Sequence, residues 1–285
     1  MKLPNFQYEC PVCLEDAVRL LSAGDGEAKI ISGGQSLLPM MAYRLVAPKV
    51  LVDLRKVPDL DRIDLDQGVR LGARVTWAAI EQDIRLQSAH PLLREAVRHI
   101  AHFQIRNRGT VGGSLAHADP AAEFSAVALC CGAKIRVIGT SGTRLIPADE
   151  FFLAPLVTAL EEDEIITAIE FPVWATERRF GFKEYARRQG DFAMAGAVVQ
   201  FEVGADGLMT HPAAVGFGVG GTPVRLPETE ECLEGRPVCE DVFQRAARVG
   251  SAAVEVQSDT HADAIYRRAL LETMLVRAFK MAASN

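Results

Sequence analysis

A chain of 285 residues, 49% of them hydrophobic, holds enough apolar content for two ordinary globular domains. Its net charge of −6 and the absence of any Lys/Arg stripe exclude a footprint for a phosphate backbone, so nucleic acid is not an expected partner. The longest apolar runs, such as Phe124 to Gly132, fall short of the ~18–20 residues of a spanning helix, and Met1 to Val12 has no apolar signal core. A cytoplasmic protein with no membrane segment is expected.

The six cysteines fall as Cys10 and Cys13, Cys130 and Cys131, Cys232 and Cys239. This matches neither a disulfide framework nor the cysteine spacing of a plant-type iron–sulfur site, and the lone pair Cys10/Cys13 lacks the second pair that a zinc site needs. They are read as unbonded thiols. His99 and His102 have no third ligand at zinc spacing, and Asp61, Asp64 and Asp66 lack the closing Glu of a calcium loop, so no metal is expected.

In chain order, Ala28 to Ile31 reads as a strand that runs into the glycine turn Ser32-Gly33-Gly34-Gln35-Ser36, then a helical turn from Leu37 to Tyr43 and a strand from Val50 to Leu54. A hairpin is expected around Asp66-Gln67-Gly68, and Thr76 is a natural cap for a helix from Trp77 to Gln87. Pro91 opens a helix that places Leu92, Leu93, Ala96, Val97 and Ile100 on one face. A second glycine-rich turn follows at Gly109 to Ser114, then a helix from Asp119-Pro120 to about Cys131, with Asp119 as its cap. A hairpin over Ala133 to Ile146 and a strand from Ile165 to Phe171 lead into a charged connector, Trp174 to Arg179. The domain boundary is placed there, between 175 and 176. Beyond it, strands (Phe180 to Arg187, Ala193 to Val203, Ala213 to Val219) followed by helices (Val238 to Ala253, His261 to Ala283) predict a small antiparallel sheet backed by helices. The fold class is α+β.

Glycine permits positive φ and close approach, so two glycine pairs, each after an apolar segment, can turn backbone N–H groups toward one anion; a diphosphate is a suitable guest. Neither G-x-G-x-x-G nor a P-loop occurs, which disfavours a Rossmann domain and excludes a Walker site, although Asp53 comes close to the Rossmann acidic position.

Three segments in this order carry a specific resemblance: Lys29-Ile-Ile-Ser-Gly-Gly-Gln-Ser-Leu-Leu-Pro39, Gln104-Ile-Arg-Asn-Arg-Gly-Thr-Val-Gly-Gly-Ser-Leu-Ala-His-Ala-Asp-Pro120 and Lys183-Glu-Tyr-Ala-Arg-Arg-Gln-Gly-Asp-Phe-Ala193. Together they resemble the FAD subunits of the xanthine dehydrogenase and aerobic carbon monoxide dehydrogenase family, the molybdenum hydroxylases. The resemblance implies a two-part FAD domain of the p-cresol methylhydroxylase type, followed by a smaller C-terminal domain. It further implies that Lys29, Ile31, Ser32, Gly33, Gly34, Gln35, Ser36 and Leu37 hold one side of the FAD diphosphate and Thr110, Gly112, Gly113 and Ser114 the other. Glu123 falls at the ribose and adenine end. Ile100, Leu160 and Lys183 match further cofactor contacts, and Asp191 and Phe192 a loop against the isoalloxazine, for which the alternative is that Phe192 is a core residue of the second domain. Gln35 stands where several relatives have histidine, so the flavin is expected to be non-covalent. No catalytic residue is expected on this chain. Molybdopterin and 2Fe–2S clusters would sit only on partners, a large and a small subunit, in a dimer of heterotrimers. A self-sufficient flavin oxidase and a non-catalytic scaffold subunit are the alternative readings.

Overall fold

The computed structural model describes residues 2–285. Strand β1 (Gln7–Glu9) and helix α1 (Leu14–Ala23) come first, and the sequence pattern announces neither. The strand is too short to carry a period, and α1 begins at Cys13, which makes no side-chain capping bond. Strand β2 (Ala28–Ile31), helix α2 (Leu37–Ala42) and strand β3 (Val50–Asp53) follow as expected. The three strands form one parallel sheet with β3 in the centre. Parallel neighbours need a crossover, which α1 and α2 supply. Asp53 is only 1% exposed and fully engaged: Tyr8 Oη donates to it at 2.8 Å, and Arg55 donates from Nε at 2.7 Å and from its backbone at 2.8 Å. Buried beneath these partners, it presents no accessible oxygen to a ribose.

A second, five-stranded antiparallel sheet runs in the order β4-β5-β10-β6-β7. Its first hairpin is β4 (Ile63–Asp64) and β5 (Val69–Gly72). The expected helix from Trp77 to Gln87 is two pieces, α3 (Trp77–Gln82) and α4 (Leu86–Ala89). Asp83 breaks it, because its carboxylate accepts from the Arg85 amide at 3.0 Å and competes with the helical ladder. Helix α5 (Pro91–Val97) ends before Ile100, which lies buried in the following turn. Helices α6 (Phe103–Arg106) and α7 (Val111–His117) come next, so the second glycine segment is the first turn of a helix rather than an open turn. Helix α8 (Glu123–Cys130) starts four residues after the Asp119 expected to cap it. Ala122 holds the cap position, and Asp119 instead accepts from the Ala121 amide at 2.8 Å in a local turn. Strands β6 (Lys134–Gly139) and β7 (Gly142–Pro147), the short helix α9 (Ala148–Phe151), the small ladder β8 (Phe152–Ala154) with β9 (Val157–Thr158), and strand β10 (Ile165–Phe171) complete this part.

The third unit is a four-stranded antiparallel sheet, β11 (Arg178–Tyr185), β12 (Ala195–Val203), β13 (Met209–Phe217) and β14 (Val224–Arg225), backed by α10 (Pro227–Leu233), α11 (Glu240–Ala253) and α12 (Ala264–Ser284). The two domains share a core. Every residue of α8 from Phe124 to Cys130 is buried, and one apolar cluster joins Leu71, Trp77 and Phe124 to Phe182, Val198 and Phe217 of the third sheet. The connector carries Trp174, whose ring lies 4.5 Å from that of the buried His90. An apolar helix packed on both sides explains why 122–131 reads as a uniform run with no amphipathic stripe.

Gly181 seats β11 on α12. A Cβ at this residue would collide with the carbonyl oxygen of Ala278 in the helix backbone and lie 2.6 Å from its carbonyl carbon, where nothing flexible can yield. Gly181→Ala is therefore expected to destabilise the protein by about 1–3 kcal/mol through overpacking, measured by thermal unfolding; an unchanged Tm would show that the sheet and helix can separate freely.

Candidate cofactor site

The first glycine loop leaves the C-terminal end of β2. Gly34 has φ +72°, a left-handed conformation that excludes most side chains. Gly33 is needed for space instead: a Cβ there would lie 2.1 Å from the Arg108 carbonyl oxygen and 3.0 Å from the Gly109 Cα. The loop is thus pressed against the start of the second motif, and the Thr110 hydroxyl bonds Ser32 Oγ at 3.1 Å. The amides of Gly33, Gly34, Gln35, Ser36 and Leu37 meet no protein acceptor among the described residues. The Gln35 side chain folds back to donate to the Gly33 carbonyl at 3.0 Å. A run of free N–H groups in a half-buried loop is the chemistry that an anion satisfies. Lys29 is exposed on β2, and Ile31 is in the core beneath the loop.

The second motif is built differently. The Val111 amide donates to Val75 O at 3.0 Å, that of Gly112 to Ala73 O at 2.9 Å and that of Ser114 to Thr110 O at 3.0 Å. Only Gly113 keeps its amide near the surface, shared with its cap Thr110 Oγ1 at 3.3 Å. A Cβ on Gly112 would strike Ala73 at 2.6 Å, whereas one on exposed Gly113 meets only Thr110 Oγ1, at 2.9 Å. Gly112 is a packing glycine. Gly113, with the hydroxyls of Thr110 and Ser114, is what this segment offers a ligand opposite the first loop.

A third group gathers where the domains meet. Glu123, the first residue of α8, is half-buried, and burial together with the nearby Glu184 carboxylate pushes its pKa up to about 8, so it holds a proton at neutral pH. His99, just after α5, stands between Glu95 Oε1 at 3.6 Å and Glu184 Oε1 at 3.5 Å. Burial alone would lower its pKa, but the two facing carboxylates, Glu184 and Glu95, outweigh that and lift it to about 9. Strand alternation separates Lys183 from Glu184. Gly181 faces α12, so Lys183 and Tyr185 do too, while Phe182, 4.7 Å ring to ring from His99, and Glu184 face the first domain.

The loop between β11 and β12 closes through Met194 N to Tyr185 O at 2.8 Å. It carries Gly190 (φ +84°), packed so tightly on His102 and the Ala101 carbonyl that a Cβ would not fit, and this brings Asp191 and Phe192 beside the segment that bears Ile100. Leu160 is half-buried after β9, against the shared core. Phe192 is 73% exposed, which overturns the core alternative for it. The pairing of His99 with Glu95 and Glu184 is not expected from the sequence, where His99 stands out only as a rejected metal ligand; the signal was the Glu95–His99 spacing of one helical turn together with an acidic residue on a strand position of opposite parity to Lys183. A cavity of about 440 Å3 in the C-terminal domain, lined by Gly220, Arg225 and Gln257, shares no residue with these segments. Among the described residues no group of His, Cys, Asp and Glu could hold a metal ion.

Known proteins place this geometry. Residues 4–174 match the family model described as the FAD binding domain in molybdopterin dehydrogenase, and residues 180–282 match the CO dehydrogenase flavoprotein C-terminal domain. The chain belongs to the FAD-binding medium subunits of the molybdenum hydroxylases. This medium subunit is 40% identical to the nicotine 6-hydroxylase medium subunit of Paenarthrobacter nicotinovorans, with 100% of each chain covered. It is 33% identical to the carbon monoxide dehydrogenase medium chain of Hydrogenophaga pseudoflava over 98% of this chain and 97% of that one. Among solved structures it is similar to carbon monoxide dehydrogenase from Hydrogenophaga pseudoflava (TM-score 0.96, 34% identity, 100% and 99% covered) and to quinoline 2-oxidoreductase from Pseudomonas putida 86 (TM-score 0.95, 34% identity, 100% and 99% covered). FAD is the cofactor, and the free amides of the first loop fit its diphosphate.

Because Phe192 buries little, Phe192→Ala is expected to change stability by less than about 0.5 kcal/mol while altering the visible spectrum and reoxidation rate of the flavin in the assembled complex. A large loss of stability with an unaltered flavin would remove the residue from the flavin loop.

Proposed function

We propose that this chain holds FAD non-covalently between the two glycine segments and passes electrons from 2Fe–2S clusters on a small subunit to an external acceptor, while a large molybdopterin subunit oxidises the substrate. When bound, FAD accepts electrons singly and delivers them in pairs; the protein supplies binding, position and electrostatics. The observation that carries the reading is the facing pair of loops: the free amides of 33–37 on one side, Gly113 with Thr110 and Ser114 on the other, tied together by the Thr110–Ser32 hydrogen bond. Charge-assisted bonds of this kind contribute about 1.5–3 kcal/mol each, enough to outweigh desolvation of a dinucleotide bridge. Glu123, carrying its proton, can donate as well as accept at the ribose end, and Ile100, Leu160, Asp191 and Phe192 border the flavin end, whereas Lys183, on the α12 face of β11, is left out of that border.

The FAD-binding domain ends at residue 175 and the C-terminal domain begins at 176 in this reading, and the assembly is a dimer of heterotrimers. A cytoplasmic location is supported by six free cysteines, the state that a reducing compartment maintains. No helix among the described residues is long and apolar enough to cross a membrane.

Two experiments test this. The purified complex should carry about one FAD per medium subunit, released intact by acid. Gly113→Asp should abolish binding without unfolding the chain, since only Thr110 Oγ1 stands near the new side chain while its carboxylate repels the diphosphate. Full flavin content in a folded Gly113→Asp protein would refute the assignment of that segment. The medium subunit alone should leave its flavin oxidised in the presence of N-heterocycles, purines or carbon monoxide. Bleaching by any of them, with partners rigorously excluded, would point instead to a self-sufficient oxidase.

A further inference from the structure

The buried ion cluster between the domains has no place in the cofactor reading given so far. Glu95 belongs to α5 of the FAD-binding domain, and Glu184 to the edge strand β11 of the C-terminal domain. His99 contacts both, at 3.6 Å and 3.5 Å. The Glu184 side chain is 8% exposed, and its second oxygen, Oε2, has no partner among the described residues. Removing the imidazolium would leave two carboxylates facing each other in a half-buried space, which is the costly arrangement for buried charge. The other groups around the bridge are Arg98, the C-terminal cap of α5, paired with Glu95 at 3.4 Å; the Phe182 ring on β11; Glu123 on α8; and Lys183, which acts on Glu95 at a distance from the other face of β11.

Position gives this bridge a function. One residue beyond Glu184, Tyr185 accepts the amide of Met194 and closes the 186–193 loop, and Gly190 of that loop rests on Ala101 and His102, two and three residues after His99. The ion bridge and the glycine contact therefore clamp the same two segments, 99–102 and 184–190, at adjacent points. We propose that His99 is a positioning residue for the flavin site: by bridging Glu95 to Glu184 it fixes the angle at which β11 and the Gly190-Asp191-Phe192 loop close on the cofactor. This rests on the FAD reading above.

The clamp is pH-sensitive with a definite sign. His99 keeps its proton to about pH 9 in the folded protein, above its ordinary value, so the stabilisation from the bridge is fully present below about pH 6.5 and is lost as the pH rises through 9. Glu123 releases its proton near pH 8 and titrates in the same interval, so the comparison must be with a variant that retains it.

The test is FAD dissociation from the assembled complex, followed by the rise of free-flavin fluorescence between pH 6 and 10, for wild type, His99→Gln and His99→Lys. His99→Gln should release FAD about tenfold more readily at pH 7, the scale of one charge-assisted hydrogen bond, and should lack the additional loss that wild type shows above pH 9. His99→Lys, which keeps a cation, should restore retention and move the break to higher pH. A His99→Gln complex with wild-type retention and pH profile would overturn the proposal. Should that variant fail to fold, His99→Lys decides: a break that stays at the wild-type pH overturns the proposal. Wild type devoid of FAD would sink the cofactor reading itself, and this inference with it; a normal FAD content with no effect at His99 sinks only the inference.

Discussion

The candidate site depends on one backbone contact, the Cα of Gly33 against the carbonyl of Arg108. A methyl group at Gly33 would stand 2.1 Å from that oxygen, so any other residue drives the two glycine segments apart. With them in contact, the Thr110 hydroxyl reaches Ser32, and two loops 78 positions apart in the chain become one surface. The requirement on Gly33 is room, whereas the requirement on Gly34 next to it is a left-handed backbone. Two adjacent glycines thus serve different physical ends.

The two segments do not contribute equally. The amides of the first loop are free because α2 begins after them and its cap residue, Ser36, makes no side-chain capping bond. Those at the start of α7 are mostly committed to Ala73 and Val75, in the turn after β5, which fastens the helix beside the second sheet and leaves Gly113 as the outward amide. A diphosphate held this way meets many donors on one wall and a few well-anchored ones on the other. Preorganised donors lose little freedom when the ligand arrives, and such a cofactor needs no covalent tether.

The domain interface is equally unequal. Its centre is apolar, with α8 wrapped on both sides, and its edge is ionic, with Glu95, His99 and Glu184 in line. Apolar burial holds the domains together but is not directional; the ion cluster and the tight seat of Gly190 on His102 specify the angle. Arg267, buried beneath the far end of the loop, adds donors to the Met194 and Gly218 carbonyls and a 2.6 Å pair with Asp259. The 186–193 loop is therefore braced from both domains.

Local sequence was sufficient where a structural choice depends on neighbouring residues. The strand–glycine loop–helix unit from Ala28 to Ala42, the hairpins, and the order of strands before helices in the C-terminal domain were legible from turn residues and periodicity, and the three glycine- and charge-bearing motifs were legible as a family pattern. Where distant segments decided, the sequence was silent or misleading. Gly109 to Ser114 reads as an open turn, but from Val111 onward it is helical, because Val75 and Ala73, just after β5, take up the amides of Val111 and Gly112. Lys183 stands out as the cation of its motif, yet strand parity aims Glu184 at His99 and turns Lys183 toward α12. A hydrogen bond to the nearest residues can be inferred from the order of side chains. Which buried charges face one another depends on how two sheets and a helix pack, and only the tertiary structure decides that.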